Sequence, residues 1–127
     1  MTEEQLHKHI CHYIKIQYPK VLFNTDLSGI RLTKGTAKKV KSLRSNKGFP
    51  DIVIYKKTKY YNALFLEVKK ETPYKKHGKL KKNERLQQQQ EVMKRLNREG
   101  YMALFVWNFE TAKLIIDEHM KGTCFQT

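Results

Sequence analysis

Apolar residues recur along this chain with two different periods. From Leu6 through Ile10, Tyr13, Ile14 and Gln17 the spacing is helical, and Pro19 breaks it. Thr2 stands where an N-cap is needed, and Glu3 and Glu4 suit the positive end of a helix dipole, so a first helix is predicted over 2–17. A short strand is expected at 21–25, then a stretch punctuated by Gly29 and Gly35 with a basic helix at 36–43. Asp51-Ile-Val-Ile-Tyr55 and Ala63-Leu-Phe-Leu-Glu-Val68 are rich in β-formers and almost wholly apolar, as strands covered on both faces are. The connection between them is short enough to make them a hairpin. Residues 71–83 hold Pro73 and Gly78 among many lysines and read as a mobile loop. A helix over 84–98, with Val92, Met93 and Leu96 inward, stops at Gly100; a strand at 101–107 and a helix at 110–120 follow. The predicted fold class is α/β, a small mixed β-sheet flanked by helices, in one domain spanning 1–127.

Composition narrows the function. An apolar fraction of 39% is enough for a core, so a disordered basic tail is excluded. No apolar run is long enough to span a bilayer, and Met1-Thr2-Glu3-Glu4 opens no signal core, so neither a membrane nor secretion is expected. With only Cys11 and Cys124 a disulfide scaffold is out, and a reducing cytoplasm is the expected location. The 26 Lys and Arg outnumber the 12 Asp and Glu, and the net charge of +14 calls for a polyanionic partner. The positive residues are clustered. Arg31, Lys34, Lys38, Lys39, Lys41, Arg44 and Lys47 form one block without an acid; Lys69, Lys70, Lys75, Lys76, Lys79, Lys81, Lys82 and Arg85 form a second. Nucleic acid is the natural partner, because phosphate contacts dominate its affinity.

The candidate chemistry sits on the hairpin. If Tyr55 and Ala63 flank the return, Asp51 lies opposite Glu67, and Lys69 projects from the same face two positions on. Two carboxylates side by side among Ile, Val, Leu and Phe are costly without a cation. Hard oxygen donors suit Mg²⁺ or Mn²⁺, so a metal held by Asp51 and Glu67, with Lys69 beside it, points to phosphodiester hydrolysis. A structural ion pair at a sheet end would use the same residues. Glu-x-Lys alone carries nothing in so lysine-rich a chain; its place inside an apolar strand, after a Pro-Asp that opens another, is what counts.

Gly48-Phe49-Pro50-Asp51, Leu66-Glu67-Val68-Lys69 and a Gln-bearing helix before Gly100-Tyr101 together resemble the PD-(D/E)XK nuclease superfamily and, within it, the VRR-NUC branch, including small standalone virus-type members. The resemblance runs from the first helix to the last. It implies a restriction-endonuclease-like core, Asp51 and Glu67 as metal ligands, the carbonyl of Val68 as a third, and Lys69 as the catalytic lysine. It also implies a first-helix glutamate. At about 100° per residue from Leu6, Glu3 falls at about 60°, beside Ile10 and Ile14, and Glu4 at about 160°, so Glu3 is preferred. A helix glutamine is implied among Gln87, Gln88, Gln89 and Gln90; one heptad back from Leu96, Gln89 faces inward. Arg31 and Arg44 become phosphate contacts and Asp26 a supporting or capping residue, while the loop at 71–83, longer and more basic than the active site requires, is either a DNA-engaging arm or disordered.

The expected activity is therefore a Mg²⁺- or Mn²⁺-dependent DNA endonuclease. Standalone members of the resemblance further imply a homodimer acting on branched DNA such as four-way junctions, and a virus-encoded origin fits. The alternative is a basic, non-catalytic nucleic-acid-binding module on the same scaffold.

Overall fold

The computed structural model describes residues 1–26 and 48–124. Helix α1 (Glu3–Gln17) leads into strand β1 (Phe23–Thr25). Strands β2 (Ile52–Ile54) and β3 (Leu64–Val68), helix α2 (Glu84–Arg98), strand β4 (Met102–Val106) and helix α3 (Phe109–Lys121) follow. The strands form one sheet in the order β1-β2-β3-β4, antiparallel except for the parallel β3/β4 pair that α2 connects. This is the small mixed α/β sheet flanked by helices that the hydrophobic pattern predicts. The basic helix expected at 36–43, and with it Arg31, Lys34, Lys38, Lys39, Lys41, Arg44 and Lys47, lies outside the described residues.

Local chemistry explains why the elements start and stop where they do. Thr2 and Gln5 form a reciprocal capping box on α1, with Gln5 N donating to Thr2 Oγ1 at 3.1 Å and Thr2 N to Gln5 Oε1 at 2.8 Å. Asn83 and Asn108 cap α2 and α3, each accepting from a backbone amide three residues on. Gly100 ends α2 with φ +88, and a Cβ there would stand 2.8 Å from Asn62 Nδ2, so no other residue fits without displacing that side chain.

The sheet separates two apolar layers by its period of two. Ile52, Ile54, Leu64, Leu66, Val68 and Val106 face Leu6, Ile10 and Ile14 of α1 and Ala112 and Ile116 of α3. Phe65, Ala103 and Phe105 face Met93, Leu86 and Leu96 of α2. The far end of α1 is tied to α3: Tyr13 Oη and Tyr18 Oη donate to Asp117 Oδ1 at 2.5 and 2.6 Å. His9 stacks on Phe109 at 3.8 Å, and buried His7 bonds Thr25 of β1. These histidines are thus packing and hydrogen-bonding groups of the helix.

One expectation is corrected. The segment read as a mobile loop folds into a small antiparallel hairpin around a Tyr74/Leu80 bridge. Lys75 N donates to Lys79 O at 2.7 Å, and Lys81 N to Pro73 O at 2.9 Å. Tyr74 meets Phe105 and Trp107 edge-on at centroid distances of 6.0 and 5.9 Å, and Leu80 joins the α2 layer. The lysines concealed two apolar anchors, and those anchors fasten the segment to the sheet.

Candidate active site

The β2/β3 register puts Ile52 opposite Leu66, Val53 opposite Phe65 and Ile54 opposite Leu64. Carried one step further, it sets Asp51 against Glu67, as the hairpin reading expects. Alternation assigns Glu67 to the Phe65 side, which α2 covers. Asp51 is held at both ends: its Oδ2 accepts from Val68 N at 3.0 Å, and its carbonyl accepts from Asp26 N at 2.6 Å. Lys69 is fixed through its own backbone, donating to Val106 O at 2.8 Å, so β4 sets the height of the β3 end.

Glu3 joins them from the first turn of α1. One carboxylate oxygen from each of Glu3, Asp51 and Glu67 lies within 4.8 Å of the others. Among the described residues this is the one cluster of His, Cys, Asp or Glu side chains tight enough to share a metal ion. Glu4 turns away and pairs with Lys8 at 3.3 Å. Glu3 is more exposed than the helical wheel suggests, because it sits at the first helical position, beyond the apolar layer that starts at Leu6.

Burial makes this cluster electrostatically unusual. Glu67 is 3% exposed, and its Oε1 has no hydrogen-bond partner among the described residues. Its Oε2 is 3.9 Å from Lys69 Nζ, a loose pairing. Burial first, then the adjacent Asp51 carboxylate, push its pKa up to about 10, with Lys69 opposing. Without a second cation the site therefore holds a proton. A buried carboxylate with an orphaned oxygen, flanked by two more acids, is a donor set that fits a hard divalent ion.

Gln89 is the buried glutamine of α2, 3% exposed, and its Oε1 is likewise unpartnered among the described residues. Gln87 and Gln88 are exposed and Gln90 is half-buried. Gly48 brings the segment before Asp51 against this part of the helix: at φ +82, its Cβ would sit 3.2 Å from the backbone of Gln88 and Gln89.

A groove of about 400 Å³ runs from Glu3 along the root of the hairpin, with Glu71 also in its wall. Glu3, Lys69 and Lys70 line one part, and Lys81, Lys82 and Arg85 another. Lys75 and Lys76 stand exposed at the hairpin tip. The cations of this wall belong to the second basic block of the sequence, but its hairpin shape was not expected, although Tyr74 and Leu80 flanking Lys-Lys-His-Gly-Lys carry the signal for one. A separate hollow of about 300 Å³ near Phe49, Val92 and Arg95 includes none of the three acids.

Neither a family model nor a curated protein matches the chain. In three dimensions it is similar to a solved structure named "VRR_NUC domain protein", with a TM-score of 0.66 and 19% identity over 99% of this chain and 93% of that one. At that identity the likeness is one of fold.

Proposed function

We propose that this protein is a metal-dependent nuclease, one domain carrying one hydrolytic centre. The observation that carries the reading is the convergence of Glu3, Asp51 and Glu67, with an oxygen on the buried member that has no partner among the described residues and Lys69 beside it. The fold neighbour's name points the same way as the motifs Gly48-Phe49-Pro50-Asp51 and Leu66-Glu67-Val68-Lys69.

Each residue then has a role that follows from its setting. Asp51, Glu67, Glu3 and the carbonyl of Val68 would hold Mg²⁺ or Mn²⁺. Such an ion, when bound, supplies positive charge to the phosphate undergoing attack and acidifies water. Lys69, only partly exposed and tethered through β4, orients the attacking water and offsets charge building on the phosphate. Gln89 presents from α2 an amide oxygen with no partner among the described residues, to position water or a strand phosphate. The Val68 amide keeps Asp51 in line with the strand end, so ligand and lysine move as a unit.

The substrate is DNA, held by the two basic blocks: Lys75 and Lys76 on the hairpin, and the residues from Arg31 to Lys47. Paired incision of a branched substrate such as a four-way junction needs two such centres, and a two-fold homodimer supplies them. The test is a cleavage panel of linear duplex, flap, single strand and four-way junction, each with Mg²⁺, Mn²⁺ and EDTA. Metal-dependent cleavage that disappears in Asp51→Asn is expected. Full cleavage by that variant refutes the centre, and salt-sensitive binding with neither cleavage nor Mn²⁺ uptake would establish a non-catalytic binding module.

A further inference from the structure

Helix α1 carries Glu3, His7 and Cys11 at intervals of four, so the three side chains fall along one stripe. Glu3 is the member that joins Asp51 and Glu67. His7 follows it by one turn, about 6 Å along the axis, and is buried. Its Nε2 is hydrogen-bonded to Thr25 Oγ1 of β1, and the Cys11 thiol interacts with the same hydroxyl. An imidazole buried beside the apolar layer of Leu6 and Ile10 is costly unless it is bonded. A leucine at that position would serve packing alone.

The other half of this contact leads straight to the second acid. Thr25 stands opposite Ile52, and the next amide, Asp26 N, donates to the Asp51 carbonyl at 2.6 Å. The His7–Thr25 bond therefore joins the helix that bears Glu3 to the strand that holds the backbone of Asp51. Leu6, Ile10 and Ile14 seat α1 on the sheet, and Asp117 of α3 ties its far end. Apolar packing is non-directional and tolerates a small slide or turn of the helix. A hydrogen bond, which weakens steeply with angle, does not.

We propose that His7 and Thr25 are positioning residues of the metal centre. Their hydrogen bond is a clasp that sets the rotation and height of the first turn of α1, and so delivers the Glu3 carboxylate to Asp51 and Glu67. Neither residue is itself a ligand. This rests on the nuclease reading of the carboxylate cluster.

The experiment measures, on the full chain, Mn²⁺ affinity by calorimetry and melting temperature in EDTA. Thr25→Val keeps the shape of a strand residue but leaves buried His7 without the hydroxyl, so stability and Mn²⁺ affinity should both fall. Thr25→Ser returns the hydroxyl and should restore both. The pair His7→Leu, Thr25→Val removes both polar partners at once, which is nearly neutral for folding. Its melting temperature should return close to the parent's, while Mn²⁺ binding stays roughly 10–100-fold weaker, the scale of losing a group that orients a metal ligand. In a Glu3→Gln background the same pair should cost no further affinity, because the acid it places is gone. A pair variant that binds Mn²⁺ as the parent does overturns the proposal, since the bond then serves folding alone. A loss that persists in full in the Glu3→Gln background overturns it too. Failure of the nuclease reading is a different result: the parent itself takes up no Mn²⁺, and the clasp falls with it.

Discussion

Asp51 is the residue on which most converges: it faces Glu67 across the hairpin, accepts from the Val68 amide and has an oxygen within 4.8 Å of one on Glu3. Asp51→Asn keeps the shape and removes one charge from the donor set. Cleavage should fall by about a thousandfold or more and Mn²⁺ binding by calorimetry should be lost, while the melting temperature in EDTA stays level or rises. Glu67 gives a sharper test through pH. Its pKa is raised by burial first and by Asp51 second, from the ordinary 4.5 to about 10. A raised carboxylate favours the folded state while it holds its proton, so this contribution is full below pH 4.5 and is lost as pH climbs toward 10. Glu67→Gln removes the titration. In EDTA the variant should gain on the parent as pH rises, by ~1–3 kcal/mol at alkaline pH, the scale of a buried polar group left unpaired. Mn²⁺ should reverse that order by stabilising the parent alone, and parent affinity for Mn²⁺ should increase with pH. Melting curves between pH 5 and 9, with and without Mn²⁺, read both effects.

At the scale of elements, the site depends on close approach between the Gly48–Asp51 segment and α2. A methyl at Gly48 would stand 3.2 Å from the backbone at Gln88 and Gln89, in a φ of +82 that side chains resist. Gly48→Ala should cost about 1–3 kcal/mol of stability and weaken Mn²⁺ binding as well, since the segment it displaces carries Asp51. The control is Gly78→Ala, which has a similar φ but open space and no link to the acids; it should leave Mn²⁺ affinity unchanged. The same elements show what was legible in the sequence. The hairpin register followed from placing the return between Tyr55 and Ala63, and with it the Asp51/Glu67 pairing. The cap at Thr2 and the stop at Gly100 are local chemistry, and helix α1 appears within one residue of its expected start. Strand ends came out shorter, because pairing with a neighbour, which β-propensity cannot see, decides where a ladder stops. The hairpin at 73–81 was hidden because its anchors, Tyr74 and Leu80, act only against Phe105 and Trp107, far along the chain.

For the whole molecule, the proposed two-fold pairing carries a prediction of its own. The choice of Glu3 over Glu4 took a helical wheel once the resemblance implied a first-helix glutamate, but the oxygens of Glu67 and Gln89 that lack partners among the described residues are properties of three-dimensional packing and no pattern announces them. If paired incision requires two copies, a mixed population of parent chains and Asp51→Asn chains should generate dimers with one working centre. On a four-way junction these should nick one strand where parent dimers cut two, and a gel of products against mixing ratio measures it. A monomer by sedimentation that still makes paired cuts excludes this arrangement.

The carboxylates come from positions 3, 51 and 67, and the helix bearing the first of them is seated against Ala112 and Ile116 and tied to Asp117. The third acid is therefore held by helix-to-helix packing while the other two share one hairpin, so a loosened α3 would let Glu3 drift and leave Asp51 and Glu67 still opposed.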